Sequence, residues 1–205
     1  TSITLGDQAG DAMNFGSLTF NSAGAVAIAE DSATELANAS TADSLDLDST
    51  GAITNAAGAT LAVTNNADFA GASITLGDQA GDGMNFGTLT FNSAGAVAIE
   101  EDSSTRLTGS SSANTLDLTS AGDIDDAVGT TINVTGLAAF IANGGLSNIT
   151  LGDDASDTLN FGTLSLTGSD VAVSEDSSTD LAFVNASTLT INSEGAITDS
   201  GLLTV

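Results

Sequence analysis

The sequence contains no cysteine, proline, histidine, tryptophan, tyrosine or lysine, and Arg106 is its single basic residue against 27 aspartates and glutamates. Most catalytic chemistry is excluded by those absences. Without imidazole, thiol or amine side chains there is no histidine base, cysteine nucleophile, Schiff-base lysine or zinc cluster of the ordinary ligands. Paired carboxylates alone suffice for glycoside hydrolysis, but no Trp or Tyr is present to stack a sugar ring. The expectation is a protein that is not an enzyme.

A formal net charge of −26 repels phosphate backbones and anionic lipid, and no basic patch offsets it. Nucleic acid is therefore not an expected partner. No apolar run reaches membrane-spanning length, so membrane insertion is not expected either. Divalent cations are the natural counterpart of such a surface. The lack of cysteine and lysine fits an extracellular or cell-surface prokaryotic protein whose stability does not come from disulfides. The chain opens at Thr1 inside a repeat, without an initiator methionine, and shows no capping element at either end, which reads as a piece of something longer with neighbours on both sides.

Apolar residues make up 41% of the chain and recur in short alternating runs, which argues for order and for strands. The dominant feature is repetition. Ile3-Thr4-Leu5 returns as Ile74-Thr75-Leu76 and again as Ile149-Thr150-Leu151, so that three copies run approximately over residues 2–72, 73–147 and 148–205. Within a copy a shorter similarity appears, from Leu18 to Leu45 and from Leu89 to Leu116, an offset of 27 residues. A self-contained sandwich domain has no reason to repeat below its own length, whereas a solenoid must present the same apolar positions to every coil.

The alternation divides each long repeat into about three coils, starting near Leu18, Leu45 and Phe69. Each coil carries three short strands, the first coil being Leu18-Thr19-Phe20, Ala25 to Ile28 and Thr34 to Leu36. In the clearest strands the outer residues are apolar and the middle one polar, so a period of two aims two side chains inward. The predicted fold is all-β: a single continuous parallel β-helix over residues 1–205, with about eight coils. Phe15, Phe20, Phe69, Phe86, Phe91, Phe140 and Phe161 fall at inward phase and are assigned to the core. Gly24, Gly51, Gly95, Gly122 and Gly195 recur at one corner and are expected to supply positive φ there.

The phrases NSAGAVAI (Asn21 to Ile28), LTSAGDI (Leu118 to Ile124), INVTGLAAF (Ile132 to Phe140) and INSEGAITDSGLLTV (Ile191 to Val205) resemble the degenerate repeats of giant bacterial surface proteins of the filamentous haemagglutinin and autotransporter-adhesin type. The resemblance covers essentially the whole chain and is compositional. It implies a right-handed β-helix that serves as an extracellular stalk or filament, its partners being flanking repeats or copies of itself stacked end to end.

Each repeat also carries two acidic clusters. The threading places the GDQAGD-type loop of one coil beside the EDS-type corner of the next. Asp7 and Asp11 then face Glu30 and Asp31; Asp78 and Asp82 face Glu100, Glu101 and Asp102; Asp153, Asp154 and Asp157 face Glu175 and Asp176. Two readings stay open. A hard cation such as Ca2+, which takes six to eight oxygens, would account for so many carboxylates in one place. Alternatively the loops point into water and discourage lateral sheet pairing. Arg106 stands where the other copies have Glu35 and Asp180 and reads as a surface substitution paired with a nearby acid.

Overall fold

The computed structural model describes residues 1–205. They form 21 strands and a single 3-10 turn at Asn143–Gly145. All strand pairings are parallel. Parallel neighbours require a crossover connection, and here the crossover is the rest of the turn: each strand pairs with the one that lies a full winding later. One column runs Thr34, Ile53, Ile74, Val97, Leu116, Ala138, Leu164, Leu181 and Asp199, each stacked on the last. The chain is a β-solenoid of about 10 turns with about 21 residues per turn. At the usual spacing between paired strands this gives a rod about 48 Å long.

A turn has three faces. Val26–Glu30, Thr34–Leu36 and Ala39–Ala42 form one turn, and Leu45–Ser49 then lies on Val26–Glu30 to begin the next. Alternation does what the sequence pattern requires: Val26 and Ile28, and after them Leu45 and Leu47, point inward while Ala27 and Asp46 point out. The inward residues of successive turns merge into one core of 42 buried side chains from Leu18 to Ala186, with Ile3, Phe15, Leu189 and Ile191 packed partly exposed against it. Six of the seven phenylalanines assigned to the core are buried and Phe15 packs against it partly exposed. Phe69 meets Phe86 edge to face at 5.6 Å between ring centroids, and Phe140 meets Phe161 in the same way at 5.7 Å.

The coil boundaries differ from those expected. Leu45 stacks on Val26, and Leu18 forms an isolated bridge to Leu36. The 27-residue similarity thus spans one turn and part of another, and there are about ten coils rather than eight. Similar segments are similar because they fill like positions on different faces. Leu18-Thr19-Phe20 is no regular strand, only Leu18 and Asn21 making single bridges.

The long repeat follows the same rule. Three turns carry Ile3 up one column through Val26 and Leu45 to Ala67. Ile74, the counterpart of Ile3, belongs to the next column, between Ile53 and Val97. A 71-residue repeat is therefore three turns plus one face. Val26, Val97 and Val171 occupy the same place in the motif and lie on three successive faces of the rod.

The corner glycines act for a different reason than the one expected. Gly24, Gly51, Gly95, Gly122 and Gly195 do not have positive φ. What they provide is room: a Cβ on Gly51 would lie 2.7 Å from the backbone nitrogen of Ala33 in the turn below, and one on Gly122 would collide with Ser104. Positive φ falls instead on the glycines that open the acidic loops, Gly6, Gly77 and Gly152.

Candidate functional site

The strands Val26–Glu30, Ala96–Glu101 and Asp170–Glu175 each end on a glutamate at inward phase. The period that buries Val97 and Ile99 also carries the Glu101 carboxylate inside, and Glu30, Glu101 and Glu175 are each only 3% exposed. A buried carboxylate must be hydrogen-bonded, and the residues that follow supply the donors. Oε1 of Glu101 accepts the backbone N–H of Phe86 at 2.9 Å and the Ser103 hydroxyl at 2.9 Å, while Oε2 accepts the Thr105 hydroxyl at 2.7 Å. Glu175 repeats the set with Phe161, Ser177 and Thr179. Glu30 does so with Phe15, Ser32 and Thr34. Burial pushes the Glu101 carboxyl above the usual glutamate range, an effect the Phe86, Thr105 and Ser103 donors oppose and the charge of Asp102 reinforces.

The next residue in each corner points outward and holds a second backbone amide of the same segment. Asp31, Asp102 and Asp176 accept the N–H groups of Met13, Met84 and Leu159 at 3.0, 2.8 and 2.7 Å. The Glu-Asp pair thus clamps alternate amides of the Met-Asn-Phe or Leu-Asn-Phe stretch, and Asp102 N–H returns a bond to the Met84 carbonyl at 2.8 Å. The motif Glu-Asp-Ser-x-Thr is a corner staple between turns.

The glycine-aspartate loops have their own internal logic. Asp11, Asp82 and Asp157 each accept the N–H of the residue three before, Gln8, Gln79 and Asp154, at 3.1, 3.0 and 2.9 Å. Their backbone N–H groups bond back to the carbonyls of those residues at 3.0, 3.1 and 3.0 Å. Each loop is a tight turn closed by its last aspartate.

The structure brings loops and staples together much as the threading placed them. Asp11 shares an open groove with Glu30 and Asp31, Asp82 with Glu100, Glu101 and Asp102, and Asp153, Asp154 and Asp157 with Glu175 and Asp176. Asp7 lies in a separate groove beside Asp46 and Asp48. Asp78 is exposed and is not among the residues lining the Asp82 groove.

One acidic residue escaped the sequence reading. Asn55, buried at the end of Ala52–Asn55, accepts the Gly77 N–H at 2.8 Å and donates from Nδ2 to Asp82 at 2.7 Å. One repeat later the same position is Asp126, 4% exposed, whose Oδ1 accepts the Gly152 N–H at 3.0 Å. Its other oxygen has no donor. One carboxylate oxygen from each of Asp126, Asp153 and Asp157 lies within 4.8 Å of the other two. Burial drives the Asp126 carboxyl from 3.8 to about 7, against the pull of the Gly152 N–H and with the added charge of Asp157 and Asp153 and a carboxyl-to-carboxylate hydrogen bond with Asp157. Aligning AITNAAGAT with DIDDAVGTT would have revealed the change from Asn55 to Asp126. On the outer side of the same strand, Arg106 pairs with Asp125 at 3.2 Å, both being nearly half exposed. Such a pair contributes at most about 1 kcal/mol.

A family model described as repeats of unknown function (DUF5649) matches residues 23–90 and 94–167. The two matches start 71 residues apart, which is the period found by self-alignment. Comparison with curated proteins and with solved structures gave no match.

Proposed function

We propose a mechanical role for this chain, which belongs to the family of repeats of unknown function (DUF5649): it is a stiff rod segment in the stalk of an extracellular or cell-surface prokaryotic protein, and it is not an enzyme. The observation that carries this reading is the single core of 42 residues that continues from Leu18 to Ala186 without a break between repeats. Bending such a rod means parting parallel ladders and opening that core at once, so stiffness follows from the fold. Adding repeats lengthens the rod by about 16 Å each, three turns and a face at about 4.8 Å per turn, and changes nothing else. Length is then the property that evolution can tune. The acidic surface keeps neighbouring rods apart and soluble. The resemblance to repeats of the filamentous haemagglutinin and autotransporter-adhesin type agrees with this role.

A second reading, a subunit that polymerises end to end into an extracellular filament or sheath, draws on the same uniform stacking: a turn of one copy can lie on a turn of another as the parallel strands do within the chain.

Antibodies raised against the chain, applied to intact and to lysed cells, test location, and denaturing electrophoresis of the labelled material tests continuity. Labelling of intact cells on one polypeptide far longer than 205 residues is the expected result. Units of discrete short length within a filament would favour the polymer, and labelling only after lysis would overturn both readings.

A further inference from the structure

We propose that Asp126, Asp153 and Asp157 form a Ca2+ site that occurs once in this chain, at the junction of the second and third repeats. This goes beyond the mechanical reading and does not depend on it. The first junction is an internal control. At the junction of the first and second repeats the Asn55 amide donates to Asp82 at 2.7 Å, so the carboxylate has a neutral partner. Replacing that amide by the carboxylate of Asp126 removes the donor and sets acid against acid. Oδ2 of Asp126 is shut from solvent and accepts no hydrogen bond from a donor of the protein, a costly state whenever the group is ionised.

The geometry matches a shared ion. Two oxygens bound to one Ca2+ at about 2.4 Å can be at most about 4.8 Å apart, and the three carboxylates meet that limit pairwise, within 4.8 Å. An all-oxygen donor set selects a hard cation over zinc or copper. Ca2+ tolerates irregular, partly hydrated coordination better than Mg2+, which demands a near-ideal octahedron. The site spans two turns, since Asp126 closes the strand Ile124–Asp126 while Asp153 and Asp157 belong to the loop after Ile149–Leu151 in the turn that stacks on it. The exposed Asp153 leaves the ion a path from solvent.

The staples are different. Glu30, Glu101 and Glu175 spend both oxygens on internal donors, and Asp82 accepts from Gly58, Gln79 and Asn55. Asp157 itself accepts from Gly129, Thr130 and Asp154, and the other enclosed oxygen without a donor, Oδ1 of Asp125, belongs to a side chain that pairs with Arg106. What sets this cluster apart is the donorless, enclosed Oδ2 of Asp126 beside Asp153 and Asp157.

Calorimetric titration of CaCl2 into the chelator-stripped 205-residue protein, with MgCl2 in a parallel run, tests the proposal together with thermal melts. One Ca2+ per chain is expected, with Mg2+ at least tenfold weaker. At a hundredfold excess over Kd the melting temperature should rise by about 5 to 10 °C. Asp126→Asn restores the pairing seen at Asn55. It should melt higher than the parent in chelator and gain nothing from Ca2+. Asp153→Asn, at an exposed position, should weaken Ca2+ at least tenfold. Asn55→Asp should raise the stoichiometry to two. Absence of Ca2+ binding at millimolar concentration, or binding that survives unchanged in Asp126→Asn, would overturn the assignment.

Discussion

Glu101 receives the hydroxyl of Thr105 at 2.7 Å inside the rod, where the apolar core meets the corner. The same carboxylate holds the Phe86 amide of the preceding turn, so a single side chain joins its own strand end to the segment beneath. Its replacement has two separable outcomes. Glu101→Ala leaves the Phe86 N–H and two hydroxyls without an acceptor and opens a void, which costs about 2 to 4 kcal/mol. Glu101→Gln keeps the shape and an acceptor while removing the charge, and should lie within about 1 kcal/mol of the parent at pH 7. Denaturant midpoints of the two variants check this; an equal loss in both would mean that the charge itself holds the corner.

A pH prediction follows from the same group and from an acidic ladder on the outer surface. Asp46 and Asp68 are register partners on adjacent turns. The Asp68 carboxyl is raised by burial and then by the charges of Asp46 and Asp48, and that of Asp48 by burial and the charge of Asp46. Glu101 is raised as well, chiefly by burial. For an acid whose folded pKa exceeds its unfolded value, the folded state binds more protons between the two values. The stabilisation is complete below the ordinary carboxylate range, about pH 4, and is lost as pH rises through the elevated values. Melts in chelator and low salt should therefore show a higher melting temperature at pH 5 than at pH 7.5, helped by the smaller net charge. A melting temperature that falls between those two values on acidification would overturn this expectation.

The parallel solenoid was legible because alternation and repetition are written locally: Val26, Ile28, Leu45 and Leu47 announce their inward phase with no knowledge of their neighbours. The winding was not, because the length of a turn is a relation between strands that need not resemble one another. Val26 lies under Leu45, but its sequence counterpart is Val97, on another face. Self-alignment finds counterparts, and stacking joins strangers. The acidic neighbourhoods were legible for the reason that motif order along the chain is also order around the corner. The inward aim of Glu30, Glu101 and Glu175 could have been read from the same alternation, since each stands two residues beyond a buried apolar side chain. Asp126 was hidden among three changes to Asp between Ala52-Ile53-Thr54-Asn55 and Asp123-Ile124-Asp125-Asp126, of which only the last falls at a buried position facing the next loop.

Glycines separate by neighbour rather than by conformation. Gly122 faces Ser104 so closely that Gly122→Ala must push the two turns apart, at a cost of about 1 to 3 kcal/mol. Gly16 has nothing within 4 Å of where a Cβ would stand and no positive φ. Gly16→Ala should be neutral to within about 0.5 kcal/mol. Thermal melts of both variants provide the comparison, and equal effects would argue that the corner is set by chain flexibility and not by close approach.

The advance of one face per repeat has a direct geometric test, aided by the lack of native cysteine. Thr4, Ala27, Asp46 and Asp68 lie in one column, three turns from first to last. Thr75, the repeat counterpart of Thr4, stands in the next column beside Thr54. Spin labels on cysteines at positions 4 and 68 should report a separation near the axial rise of three turns, about 14 Å. Position 75 is only seven residues beyond position 68 and almost equal to it in height, yet labels at positions 4 and 75 should lie clearly farther apart because they project from different faces. Equal distances in the two pairs would mean that the repeats stack in line. If the distances differ as expected, the acidic loops wind around the rod and return to the same face every third repeat, about 48 Å along the axis, so that a lateral partner reading one face would meet a given loop only once in three repeats.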